Sequence, residues 1–465
     1  MGYDAPVKRL LVVLAALAAV ALATAAAFQA RRDREYRTLL ARGEQALRDD
    51  QTFSAIEAFS GAAYLRPDAM LPHLRRAETY QRRGDLDAAA RDYGDAAALD
   101  PAATRPLEEL GDVWYQLQRY DRAADTYARF LHVDDSSARV GYKLALARYR
   151  DGAFDAAMTA LHRATRQNDR LPDAFYLEGL CARRLRRDAD AERAFARAVA
   201  LAPRMIPARE ELADVDAALG RHADQIEQLQ AIADLDRNHV EREVAVALAH
   251  AHAGHPDLAV LTLGRALDRA VDQAPIYAAL GQTWLDVAER NPRRPDALRK
   301  ALEALERAAL SPGAGSDVLA RYGRALLLNG SNDAADRVLR LAISRYPIDP
   351  AALQLYASAA ERQHRLDEAR QALVAYGALV SGDAGFSARA AHIALLSERL
   401  GDAAAAVDWL RRATAASPGD LTLLLHLADA QIRLGDRASA RETIARARER
   451  DSTSPALADL IRRAR

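Results

Sequence analysis

A glycine or alanine recurs every 34 residues along this chain, at Gly43, Ala77, Gly111, Ala145, Gly179, Ala213, Ala247 and Gly281. The series continues at Gly323, Ala357, Ala394 and Ala428. A second series reads Ala55, Ala89, Ala123, Ala157, Ala191, Gln225, Ala259, Ala301, Ala335, Ala369, Ala406 and Ala440. A third is bulky throughout: Phe59, Tyr93, Tyr127, Leu161, Phe195, Leu229, Leu263, Leu305, Leu339, Leu373, Leu410 and Ile444. Segments such as "YQRRGDLDAA" (80–89), "RYRDGAFDAA" (148–157) and "QIRLGDRASA" (431–440) each close a helix, turn on Gly or a polar residue, and open a new helix on Ala. Pro67, Pro101, Pro203, Pro347 and Pro418 end several units. Small residues at two fixed points let paired helices approach closely, and the bulky residue fills the gap beside them. One such hairpin cannot bury its apolar face alone, so neighbours must stack.

These three series resemble the tetratricopeptide repeat (TPR), a pair of antiparallel helices in 34 residues. Its pattern has a small residue at position 8, Ala at 20, a bulky apolar residue at 24 and often Pro at 32. The resemblance implies an all-α fold, a right-handed α-solenoid of about twelve helix hairpins over 36–454. Residues 455–465, "PALADLIRRAR", form an expected capping helix with Leu457, Leu460 and Ile461 on one face. About eight extra residues enter near "ERNPRRPDA" and about three around "SGDAGFS", both read as lengthened turns.

The amino terminus differs in kind. After a head at 1–9 ending in Lys8-Arg9 comes an uncharged run at 10–30, then Arg31, Arg32 and Arg34. About 20 apolar residues span a bilayer as a helix, so a transmembrane anchor is expected there, with a cleavable signal sequence as the competing reading. That expectation places the protein in the cell inner membrane as a single-pass protein. The array is assigned to the periplasm ahead of the cytoplasm, although the arginines after the run favour the opposite side.

Composition narrows the function. Ala, Leu and Arg dominate and strand formers are sparse, which favours helix almost everywhere. Sixty-five basic residues balance 65 acidic ones, which argues against nucleic acid as a partner. Cys181 is the single cysteine. It excludes intramolecular disulfides and the four-cysteine module found in cytoplasm-facing TPR regulators of envelope assembly. No phosphate loop, nucleophile elbow or paired-carboxylate motif lies outside the repeats, so no enzyme, cofactor or metal site is expected.

The stretch "HAHAGHPDLA" (250–259) is the one local pattern that suggests chemistry. His250 and His252 lie roughly 200° apart on a helix and cannot readily share an ion. In the repeat frame His250 stands at position 11, which holds Tyr80, Trp114 and Trp284 elsewhere. The stretch is therefore read as a turn between two repeat helices.

In TPR proteins the first helix of each unit lines the concave face, and the resemblance implies that partners bind there. The positions that would point inward are Arg75 and Arg82 in repeat 2, Arg139, Tyr142, Lys143, Tyr149 and Arg150 in repeat 4, and Tyr176, Arg183 and Arg184 in repeat 5. Cations interleaved with tyrosines suit an acidic peptide or an anionic glycan. The expected role is a membrane-anchored scaffold for proteins or peptides, acidic segments favoured. The alternatives are a periplasmic component of polysaccharide export and a cytoplasm-facing regulator of envelope assembly.

Overall fold

The computed structural model describes residues 5–237, 239–380 and 384–464, with side chains from Leu14 onward except at 16. Every regular element among them is a helix, twenty-five in all. They fall into two compact units, Met1–Gln228 and Leu229–Arg465. The first unit holds α1 (Ala5–Arg48), α2 (Thr52–Leu65), α3 (Met70–Arg83), α4 (Leu86–Leu99), α5 (Thr104–Gln116) and α6 (Tyr120–Val133). It continues with α7 (Ala138–Arg150), α8 (Phe154–Gln167), α9 (Pro172–Arg184), α10 (Asp188–Leu201) and α11 (Ile206–Ala218). The boundary falls inside α12 (His222–Leu235).

The second unit holds α13 (Val240–His252), α14 (Pro256–Leu267), α15 (Ala274–Arg290), α16 (Pro295–Ala309), α17 (Ser316–Leu328) and α18 (Asn332–Ser344). After them come α19 (Pro350–Arg362), α20 (Leu366–Leu379), α21 (Phe386–Arg399), α22 (Ala403–Ala416), α23 (Leu421–Leu434), α24 (Arg437–Arg450) and α25 (Pro455–Arg463). Consecutive helices pack as hairpins, α1 on α2, α3 on α4 and so on through α9 on α10, and again from α13 on α14 through α23 on α24. The repeated hairpin packing is that of an α-solenoid of TPR type. Within each unit the second helix of a hairpin also packs on the first helix of the next, from α2 on α3 to α10 on α11 and from α14 on α15 to α22 on α23, and α25 packs on both α23 and α24.

The sequence explains where these helices start and stop. Proline opens α9, α14, α16, α19 and α25, where its missing N–H costs nothing. Asp402, Asp420 and Asp436 accept backbone N–H bonds at the starts of α22, α23 and α24. Gly84 and Gly435 close α3 and α23 in the left-handed conformation, φ 87° and 88°. The turn of "HAHAGHPDLA" has the same device at Gly254, φ 85°.

Close approach within each hairpin follows the three residue series. The ring of Phe59 sits against Gly43, Tyr127 against Gly111, and Phe195 against Gly179. A Cβ at any of the three glycines would fall under 3.0 Å from the ring. Phe59, Tyr93, Tyr127 and Phe195 are the largest fully buried side chains of the first unit.

Two expectations change. The extra residues at repeat 8 do not form a long turn. They lengthen α15 to 17 residues and α16 to 15, because "LDVAER" consists mainly of good helix formers. The other insertion lies partly outside the described residues, at 381–383. The membrane expectation is overturned: no helix among the described residues is long and apolar enough to cross a membrane. This removes the transmembrane anchor at 10–30 and with it the single-pass inner-membrane location; of that run, the side chains at 10–13 and 16 lie outside the described set. The described remainder is alanine-rich, and a lone methyl adds little transfer free energy. It also runs without a break into the first hairpin, where Arg32 donates to the Leu65 carbonyl at 2.5 Å and Asp33 accepts from Arg66 at 2.6 Å.

Candidate partner-binding face

First helices of successive hairpins touch one another in several places, α7 with α9, α13 with α15, α15 with α17, and α17 with α19. No pair of successive second helices does so to that extent among the described residues. First helices therefore line the inner side of each unit, and the inner positions of the repeat lie on one surface.

In the first unit that surface is a ladder of ion pairs. Arg75 donates to Glu78 at 2.9 Å and lies 2.8 Å from Glu44. Arg105 reaches the same Glu78 at 2.7 Å. Arg82 pairs with Asp50 at 3.0 Å. Across the next step, Lys143 Nζ donates to Glu108 at 2.7 Å and to Asp112 at 2.6 Å, and Arg139 is also bonded to Glu108. Burial pushes the Glu108 carboxyl up, but Arg139 and Lys143 outweigh it and hold the group below its ordinary value. Tyr127 completes the knot by donating its hydroxyl to Asp112 at 2.5 Å. Arg150 donates to the Tyr115 hydroxyl at 3.3 Å, and Arg183 is bonded to Glu211.

The sequence-predicted site thus divides. Arg75, Arg139, Lys143 and Arg183 are each already matched by a carboxylate from the neighbouring first helix, and Arg82 by Asp50 in the turn between α1 and α2. Arg150 is held by a phenol, and Arg184 is exposed without an ionic partner among the described residues. Tyr142, Tyr149 and Tyr176 are half-buried on α7 and α9. Tyr149 meets Phe154 edge-on at 5.6 Å between ring centroids, and Tyr176 lies 5.9 Å from Phe195. An incoming anion would have to displace existing pairs at most of these cations. Glu109 is a further carboxyl on α5, and burial first, then Asp112, raises its pKa and so favours its neutral form.

The second unit offers a different surface. A cavity of about 500 Å³ spans α13, α15 and α17. Its apolar lining is Val244, Leu248, Pro275, Ala278, Ala279 and Val318. Gln282, Asp272, Ser311 and the Asp317–Arg321 pair, 2.9 Å apart, supply the polar lining. Several of these stand at repeat positions 2, 5, 6 and 9, which are inner positions. Sequence reasoning missed them because Ala, Val and Leu there cannot be told from core by residue type. A second cavity of about 400 Å³ is lined by His392, Leu395, Glu398, His426, Asp429 and Arg433 of α21 and α23. His392 and Arg399 both meet Glu361 at 3.0 Å.

The histidines of "HAHAGHPDLA" do not gather. His250 is half-buried, its Nδ1 has no hydrogen-bond partner, and burial together with His255 lowers its basicity. His252 and His255 are exposed. Among the described residues the one trio of converging ligand atoms lies elsewhere, at His73, Asp92 and Asp95.

A tetratricopeptide repeat family model matches residues 74–138 and 142–206, and a second one matches residues 399–464. The small glutamine-rich tetratricopeptide repeat-containing protein 2 of Mycosarcoma maydis is 29% identical over 99 residues, 21% of this chain. That match spans 28% of the fungal protein's length. Among solved structures, MamA is similar at 23% identity and a TM-score of 0.34, over 35% of this chain and 95% of that one. The Naa15/Naa10 complex bound to HypK-THB is similar at 15% identity and a TM-score of 0.39, over 92% of this chain and 70% of that one. The chain carries tetratricopeptide repeats.

Proposed function

We propose that this TPR-bearing chain is a non-enzymatic scaffold that binds a segment of a partner protein on the inner face of its first helices, with the groove across α13, α15 and α17 as the main contact. The groove is the observation that carries the reading. A half-buried apolar lining, bordered by polar groups and built on three helices, suits a peptide whose side chains exclude water from it. Its lining of Ala, Val and Pro favours short aliphatic side chains over aromatic ones. The ion-pair ladder of the first unit supports a second, polar stretch of contact, in which a partner exchanges one carboxylate or cation for another and gains selectivity more than affinity.

A photo-crosslinking residue at position 278, inside the groove, tests this against the same residue at position 264, on the open side of α14. The expected result is a discrete protein adduct from 278 alone, which Val318→Arg on the half-buried groove lining abolishes while leaving Tm unchanged. Adducts of equal yield from both positions, or adducts indifferent to Val318→Arg, would overturn the proposal.

A further inference from the structure

Repeat 2 departs from the commonest residue types of the repeat at four places that face one another. At position 23, where repeats 1, 4, 5, 8 and 10 have alanine, it has Asp92. At position 7, where Leu110, Leu144, Leu212 and Val246 stand but repeats 1 and 5 carry Arg42 and Glu178, it has Arg76. His73 occupies position 4, the place of Leu107, Leu319, Leu353 and Leu424, with Arg209 and Glu243 in repeats 6 and 7. At position 26, where Arg129, Arg163, Arg197 and Arg265 stand, it has Asp95, reversing the charge. Polar groups in an apolar slot cost stability unless they are fully matched, and departures from a local pattern mark sites that do something other than pack.

Matching is incomplete. Asp92, 7% exposed, is gripped by Arg76 through two bonds of 2.6 Å, and Arg76 reaches Ser60 at 3.0 Å. His73 Nδ1 is buried and has no hydrogen-bond partner. It lies 3.9 Å from Asp92 Oδ1 and 3.8 Å from Asp95 Oδ2, too far for hydrogen bonds. The three ligand atoms lie within 4.8 Å of one another. Two ligands on one tetrahedral ion stand about 3.4 Å apart, given metal–ligand bonds of about 2.1 Å. Closing these distances requires only small side-chain adjustments, chiefly at Asp95, which is 62% exposed.

We propose that repeat 2 binds a divalent first-row transition-metal ion between its two helices, through His73 Nδ1 on α3 and the carboxylates of Asp92 and Asp95 on α4. One imidazole and two carboxylates form a borderline donor set, suited to Zn²⁺, Co²⁺ or Mn²⁺ rather than to Ca²⁺. Two carboxylates against one guanidinium leave a net negative charge to attract the ion. Arg76 acts one layer out by fixing the orientation of the Asp92 carboxylate. Water from the exposed Asp95 side fills the remaining coordination. Bound there, the ion ties the two helices of one hairpin together and stabilises the folded chain by mass action.

The test uses the full chain, stripped with a chelator and titrated with Co²⁺ while visible absorption is followed, then challenged with Zn²⁺. One saturable Co²⁺ per chain, displaced by Zn²⁺, is expected, with a rise in Tm on loading. His73→Gln and Asp95→Asn should each weaken binding at least about 10-fold. Asp95→Asn keeps the buried Arg76–Asp92 pair intact, so its metal-free Tm should match that of the parent chain. Replacing His252 and His255 with alanine should leave the titration unchanged. Absence of a saturable site, superimposable titrations of parent and Asp95→Asn, or loss of binding in the His252/His255 variant would each overturn the proposal.

Discussion

At the residue scale, a missing methyl fixes how near two helices come. Gly179 has the Phe195 ring where its Cβ would be, whereas Gly94 in α4 has open space around the same point. Gly179→Ala should therefore destabilise the chain by about 1–3 kcal/mol through overpacking. Gly94→Ala should stabilise it by about 0.5–1 kcal/mol, because alanine restricts the unfolded chain and suits the helix. Urea unfolding of both variants checks the pair, and a common sign would contradict the packing argument. Asp216 makes a second case. It is 2% exposed near the end of α11, and burial, with Asp224 and Glu192 adding to it, raises its carboxyl to about 6. A carboxyl raised on folding binds its proton more tightly in the native state, so stability should fall as pH rises from about 4 to about 6 and then level off. Asp216→Asn should flatten that slope and add up to about 3 kcal/mol at pH 7, the cost of ionising a carboxyl that titrates at about 6 instead of its ordinary value. Equilibrium unfolding at pH 4.5 and pH 7 reads both effects, and an unchanged slope in the variant would refute the assignment.

At the scale of elements, charge ties one hairpin to the next. Lys143 on α7 bridges Glu108 and Asp112 on α5, and all three are partly shielded from water. A double-mutant cycle with Lys143→Met and Asp112→Asn should give a coupling of about 1 kcal/mol that shrinks with added salt. A coupling near zero would reduce the ladder to a by-product of side-chain reach. The ladder also shows what was legible in the sequence. Residue types and the 34-residue period placed Arg139, Lys143 and Arg183 on one face. They could not show that Glu108 and Asp112 on the preceding first helix, and Glu211 on the following one, already neutralise them, because those contacts depend on how hairpins stack. The same limit hid the apolar groove, where Val244, Ala278 and Val318 look like core. It also hid His73, Asp92 and Asp95, which are separated along the chain and share no local motif.

At the scale of the whole molecule, the hairpins were legible because the period is set by close contacts inside each one, and such contacts constrain residue size at fixed positions. The amino-terminal run shows the converse limit: it lacks charge, but its described part is mostly alanine, and no helix among the described residues is long and apolar enough to cross a membrane. The carboxyl end carries the clearest consequence of stacking. A repeat stack is stabilised by nearest-neighbour interfaces, so its terminal hairpin lacks one partner unless something covers it. Here α25 covers it: Leu457 and Leu460 are 1% and 5% exposed and pack with Leu424, Ala428 and Ile444. Arg463 adds a bond of 2.7 Å to Asp429 on α23. Truncation after residue 454 removes two buried leucines, worth about 3–6 kcal/mol at full burial. Because each interface is local, the loss should be steepest at α23 and α24 and fade hairpin by hairpin toward α17. Amide hydrogen exchange on the truncated chain measures that gradient directly. Uniform loss of protection across the second unit would mean that it unfolds as one cooperative block, and undiminished protection at α23 would mean that α25 is no cap.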